Sequence, residues 1–184
     1  MDESNRKIVL YGVQRIKNLM FDVLIAVLCG LVMKNLMAAL LYEAAFIPLR
    51  INAGGYHAQS EKMCKLISWG SIVGSLVVII YLPDLEVLWH VLTALSCTGI
   101  VILAPVESKN KPLSMTEKKV FRRRSMIIVI MEGGIYFLLA ITGYMLYAKV
   151  IGAVIVLVAG GMIADTEEME NCGCNTDEIN GAGR

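Results

Sequence analysis

Long apolar stretches separated by short polar or basic segments dominate the chain. Residues 66–82, 87–106, 126–147 and 150–164 are nearly unbroken apolar runs, with Glu132 the only acidic or basic residue inside any of them. Two approach the ~20 residues that a helix needs to cross ~30 Å of hydrocarbon, and two are shorter. A fifth region, 19–49, is apolar but interrupted by Asp22, Lys34 and Glu43. It reads as one long helix, as two helices (19–33 and 35–49) turning at Lys34-Asn35, or as a non-crossing segment lying in the membrane interface.

Loop charge separates these readings. With two crossings in 19–49 there are six spans and both termini share a side. Fifteen of the seventeen basic residues then lie on that side, in the N-terminal segment, the 50–65 loop, the 107–125 loop and at Arg184, leaving Lys34 and Lys149 opposite. The positive-inside rule places that side in the cytoplasm. A single crossing would split the N-terminus from the seven-charge loop; an interfacial helix would keep the same sidedness. The pattern therefore predicts an all-α integral membrane bundle of about six transmembrane helices over 1–164, with both termini cytoplasmic. An acidic tail, expected to be disordered, occupies 165–184.

Composition agrees. Apolar residues make up 57% and charged residues 18%, and mean hydropathy is +0.64. Ordinary soluble domains carry roughly 45–50% apolar and about 25% charged residues, and so much apolar surface exceeds what one 20 kDa core can bury. A formal net charge of +1 offers no global field for nucleic acid, so none is expected as a partner. The first eighteen residues are polar and amphipathic with no A-x-A-like site after them, so no cleavable signal peptide is expected. Ile8, Val9, Val13 and Ile16 among Arg6, Lys7, Arg15 and Lys17 fit either a short helix on the inner leaflet or a solvated lead-in.

Two histidines are present. His90 lies within a span near its outer end, where a neutral ring hydrogen-bonded to a neighbouring helix is the simplest reading. His57 lies between two spans, in Arg50-Ile51-Asn52-Ala53-Gly54-Gly55-Tyr56-His57-Ala58-Gln59-Ser60-Glu61-Lys62-Met63-Cys64. Gly54-Gly55 breaks the helix, Ser60 is suited to cap the next one, and Glu61 suits its first turn. Cys64 then falls near a helix start between Lys62 and Lys65, a setting that favours thiolate. Seven residues of continuous helix is ~10.5 Å of rise, so the two can pair only if His57 folds back from the loop. A Cys–His dyad would supply a nucleophile for acyl transfer; the plain alternative is a loop histidine and a small buried thiol. Cys29 and Cys97 read as packing residues. Cys172-Gly173-Cys174 in the tail is a poor metal site with no histidine near it, and neither metal nor cofactor is expected.

The 107–125 loop ends in Arg122, Arg123 and Arg124, which fit a headgroup anchor on anionic lipid or a docking surface for an acidic peptide. Glu132, followed by Gly133-Gly134, should face the bundle interior as a polar packing site or the lining of a substrate path.

The block Arg50…Gly54-Gly55-Tyr56-His57-Ala58…Cys64, with Pro105-Val106-Glu107…Asn110-Lys111-Pro112-Leu113, resembles the accessory gene regulator protein B (AgrB) family, the membrane cysteine endopeptidases of Gram-positive quorum sensing. The likeness covers nearly the whole chain. It implies that His57 is the base and Cys64 the nucleophile, with Arg50 near the site; Gln59, Ser60 and helix-start N–H groups are oxyanion candidates. It also implies a substrate, an AgrD-like pro-peptide with an amphipathic leader and an acidic C-terminal segment, cleaved through a thioester and closed to a lactone or thiolactone. A homodimer would enlarge the small interior available to such a peptide. The competing reading is a non-enzymatic exporter or peptide-binding scaffold.

Overall fold

In a computed structural model of the chain, residues 3–54, 61–81, 85–106 and 115–171 are described, and among them are six helices and no strand. In order these are α1 (Glu3–Val32), α2 (Leu36–Ala53), α3 (Glu61–Tyr81), α4 (Glu86–Leu103), α5 (Met115–Ile141) and α6 (Met145–Asn171). The expected all-α bundle is present. By length and composition four helices qualify as membrane spans: α2, α4, α5 and the Met145–Thr166 part of α6. The apolar stretch of α3, Leu66–Tyr81, is shorter.

Region 19–49 is a helical hairpin. Lys34 adopts a positive φ of 55°, which reverses the chain, and Asn35 caps α2 by accepting from the Ala38 N–H at 3.4 Å. The Asn35 N–H in turn donates to the Gly30 carbonyl at 2.8 Å. The two helices touch at Gly30, where an added Cβ would stand 2.7 Å from Ala39 Cβ and 3.0 Å from Leu36 Cα. Gly30→Val should therefore force the hairpin apart and lower stability by about 1–3 kcal/mol, read as a fall in Tm of the detergent-solubilised protein. The N-terminal lead-in is not a separate element. It belongs to α1, a single 30-residue helix that begins at Glu3 rather than at the expected residue 19.

Two further boundaries differ from the hydropathy reading. The fifth span ends at Ile141, not 147, and the sixth begins at Met145, not 150. Between them Gly143 takes a φ of 84°, and the Thr142 hydroxyl donates to the Leu138 and Leu139 carbonyls at 2.8 and 3.2 Å. The turn carries no charge, so the apolar run read from the sequence continues across it. Gly133-Gly134 leaves α5 unbroken. At the other end, α6 remains helical through Asn171, past the expected tail start at 165, with no glycine or proline from 162 to 171 to stop it. The Thr166 hydroxyl bonds the Met162 carbonyl at 2.9 Å within that stretch.

α6 is the centre of the bundle and packs against α2, α3, α4 and α5. Its Ala148, Val150, Ile151, Val154, Ile155, Val158 and Met162 are buried, meeting Tyr42 and Leu49 of α2 and Ile100 of α4 in one apolar core. Small and β-branched side chains on this face let the helices approach closely, which is how association is driven where lipid offers no hydrophobic gradient. α4 turns most of its residues outward, as a helix facing acyl chains does.

Two contacts fix the helix directions. The Val106 N–H, just beyond α4, donates to the Ala53 carbonyl at the end of α2 at 3.2 Å. Across α4 and α5, His90 meets Tyr136, and Cys97 lies beside Gly133, so these helices are antiparallel. The ends of α2 and α4 and the start of α5 therefore lie at one end of the bundle, called here the loop end. The 33–35 and 142–144 turns lie at the other.

Candidate functional site

The loop end is built by a helix that must stop and a second strand of chain that must reach it. α2 carries Tyr42, Phe46, Leu49 and Ala53 on one buried stripe at spacings of four, three and four residues. Pro48 lies within this helix and lacks an N–H, so it removes one bond from the ladder. One turn on, the Asn52 side-chain amide donates to the Pro48 carbonyl at 2.8 Å. α2 then ends at Gly54, whose φ of 86° and ψ of −159° fall in a region essentially restricted to glycine. The absence of a side chain is needed twice over, because a Cβ here would stand 2.7 Å from the Val106 carbonyl oxygen.

This junction joins the two motif blocks that sequence alone only placed in separate loops. Arg50, in the last turn of α2, is half-buried, with its guanidinium carbon 6.0 Å from the centroid of the Phe46 ring one turn earlier. Cys64 is the fourth residue of α3, so its backbone lies in the first helical turn, where the helix dipole favours negative charge. Gly55, His57, Gln59 and Ser60 lie outside the described residues; α3 begins at the residue following Ser60. Arg122, Arg123 and Arg124 are all exposed and sit about two turns into α5 from its loop end.

The interior holds acids that neither loop explains. Glu132 is 6% exposed and Glu43 4% exposed, and among the described residues neither carboxylate has a hydrogen-bond partner. Glu132 thus faces the interior, while Glu43 registers in the sequence only as a break in an apolar run. Near Glu43, Asp22 of α1 accepts from the Trp69 indole N–H of α3 at 3.1 Å. His90 makes the expected link to a neighbouring helix: its Nδ1 lies 2.8 Å from the Tyr136 hydroxyl, with the rings edge-to-face at 84°. Cys29 and Cys97 are half-buried free thiols packed against the core.

Residues 1–163 match the family model described as Accessory gene regulator B. Two AgrB-like proteins of Clostridium perfringens, one from strain SM101 and one, numbered 2, from strain 13, are each 26% identical over 153 residues, spanning 79% of this chain and 70% of theirs. No solved structure matches the chain. Helices suited to crossing a bilayer, the close α2–α4 junction at the loop end and a family match over nearly the full length converge. The chain belongs to the accessory gene regulator B family, multi-pass membrane proteins of quorum-sensing peptide processing that act on an AgrD-related substrate.

Proposed function

We propose that this protein is a membrane-embedded cysteine endopeptidase that cleaves an AgrD-like pro-peptide at its cytoplasmic face and promotes ring closure of the retained segment. The observation that carries the reading is the placement of Cys64 in the first turn of α3, after a loop that starts from the Gly54–Val106 junction. The helix start stabilises a thiolate, and the glycine pair gives His57 the freedom to fold back toward it.

In the reaction His57 takes the proton of Cys64, and the sulfur attacks the carbonyl carbon at the processing site. The C–N bond breaks as the imidazolium returns its proton to the leaving amine, so the C-terminal fragment departs and a thioester remains. A cysteine or serine of the bound peptide then gives its proton to His57, attacks the thioester carbonyl, closes a thiolactone or lactone, and releases the Cys64 thiolate. Water is the competing nucleophile, and a site at the membrane surface with limited solvent favours the ring. Arg50 and the backbone around Gly54 and Gly55 support the loop, and Gln59, Ser60 and helix-start N–H groups are suited to hold the oxyanion.

The charge pattern supports the proposed sidedness: Arg50 and the basic start of α5 belong to the loop end and Lys34 and Lys149 to the opposite half, as the positive-inside rule expects of a cytoplasmic loop end. Arg122, Arg123 and Arg124 would draw the acidic segment of the substrate. Replacing all three with glutamine is expected to lower kcat/KM for an acidic-tailed pro-peptide by about tenfold at low salt, with the deficit shrinking as salt screens the attraction. Co-expression with the pro-peptide tests the whole reading. Mass spectrometry should find the released C-terminal fragment and a peptide adduct on Cys64; a processed peptide with no Cys64 adduct, even under acid quench, would refute the covalent route.

A further inference from the structure

α3 carries Cys64 in its first turn but is packed into the bundle only further along. Of residues 66–71 none is buried, and Leu66, Ile67 and Gly70 are exposed. The buried stripe begins at Ile72 and continues through Leu76 and Ile79. Eight residues of helix separate Cys64 from Ile72, about 12 Å of rise. The start of α3 is therefore a lever on its own packing: a swing of roughly 5° about Ile72 carries Cys64 by about 1 Å.

A directed contact restrains this lever. The half-buried Trp69 indole N–H, five residues after Cys64 and three before Ile72, donates to Asp22 Oδ1 of α1 at 3.1 Å. An acid within the apolar part of a helix is costly, and a bond to a neighbouring helix is the usual reason to keep one. The acceptor is itself anchored. α1 and α2 meet closely at Gly30, and the Asn35 N–H holds the Gly30 carbonyl, so Asp22 belongs to a fixed hairpin. The second helix of that hairpin ends in the Gly54–Val106 junction. The Trp69–Asp22 bond thus completes a series of contacts from the helix of Cys64 to the start of the loop that carries His57. The other polar link from α3 to the hairpin among the described residues is the Tyr42 hydroxyl on Ser75 at 3.5 Å. It lies beyond Ile72, inside the buried stripe, and does not act on the lever.

We propose that Asp22 is a positioning residue of the cleavage reaction, holding the first turn of α3, and with it Cys64, in place against His57 through the Trp69 indole. The assignment rests on the reading of Cys64 and His57 as the reacting pair; the contact and the lever do not.

The test uses the full chain in nanodiscs with a synthetic AgrD-like pro-peptide, assayed well below the Tm of every variant. Trp69→Phe keeps a ring and removes the donor, and Asp22→Leu removes the acceptor. Each should lower kcat about tenfold with KM within about twofold, as expected when only the transition state loses alignment. The double variant should be no worse than either single one, since all three lose the same bond. Asp22→Asn keeps an acceptor oxygen and should retain at least about a third of native kcat. Tyr42→Phe should leave kcat native. Backbone hydrogen exchange over residues 64–69 gives a readout independent of the chemistry: it should quicken several-fold in Trp69→Phe and Asp22→Leu, and not in Tyr42→Phe. Should Trp69→Phe fail to fold, Asp22→Leu against Asp22→Asn carries the same comparison. Full cleavage in Cys64→Ala overturns the loop reading and this assignment with it. With Cys64→Ala inactive, native kcat and native exchange in Trp69→Phe overturn this assignment alone. A lowered Tm with native kcat, a rise in KM without a fall in kcat, or an equal loss in Tyr42→Phe overturns it as well, because each marks a bond that only stabilises the bundle or acts elsewhere.

Discussion

Cys64→Ala is expected to abolish pro-peptide cleavage, with a loss of at least ~10³-fold, while the protein still inserts, extracts and elutes like the native chain. The size of the effect follows from the chemistry. Removing the sulfur removes the acyl-enzyme altogether, and no neighbouring group in the first turn of α3 can form an equivalent thioester. Stability should change little, because the substitution deletes one atom at the start of a helix whose apolar packing lies further along, at Ile72, Leu76 and Ile79. His57→Ala should bring a similar loss, and the double variant should be no worse than either single one, since the two would act as a unit. Full cleavage in either single variant would refute the dyad. The opposite pattern, with Cys64→Ala silent and Glu132→Gln inactive, would make the buried carboxylate the working group and favour the exporter or scaffold reading.

Much of the architecture is legible in the chain because the membrane makes backbone satisfaction compulsory, so apolar length maps directly onto helices. The Lys34-Asn35 turn is visible for the same reason: a charge and a capping residue interrupt an apolar run at its midpoint. The turn at 142–144 is hidden because it depends on one glycine's positive φ and one threonine hydroxyl, and neither places a charge in the apolar run. Long-range pairing is hidden more deeply. Ala53 and Val106 are joined by a single backbone hydrogen bond across two intervening helices, and backbone groups carry no sequence signature. The α4–α5 contact has a partial signal: His90, Thr93 and Cys97 recur along α4 at spacings of three and four, and this face meets Tyr136 and Gly133 of α5, but periodicity cannot name the partner helix.

The Ala53–Val106 junction leads to the second large effect. Gly54→Ala is expected to reduce cleavage about tenfold or more without preventing membrane insertion. Two costs combine. The backbone conformation at Gly54 is one that a side chain resists by about 1–3 kcal/mol, and the new Cβ would meet the Val106 carbonyl oxygen at 2.7 Å. A backbone oxygen cannot rotate away as a flexible side chain can, so relief requires the α2 end and the segment after α4 to separate. That separation moves the start of the loop that carries His57, and an ångström-scale displacement of a catalytic group is enough to lose much of its contribution. Gly143→Ala is the matched control. Its φ of 84° is also positive, but nothing lies within 4 Å of its added Cβ, and it belongs to the turn at the far end. It should lower stability slightly and leave cleavage intact. Hydrogen exchange gives the independent readout, because the Val106 amide is protected by its bond to Ala53. Gly54→Ala should accelerate exchange at Val106, and Gly143→Ala should not. Unchanged exchange together with full cleavage in Gly54→Ala would show that the junction does not position the loop.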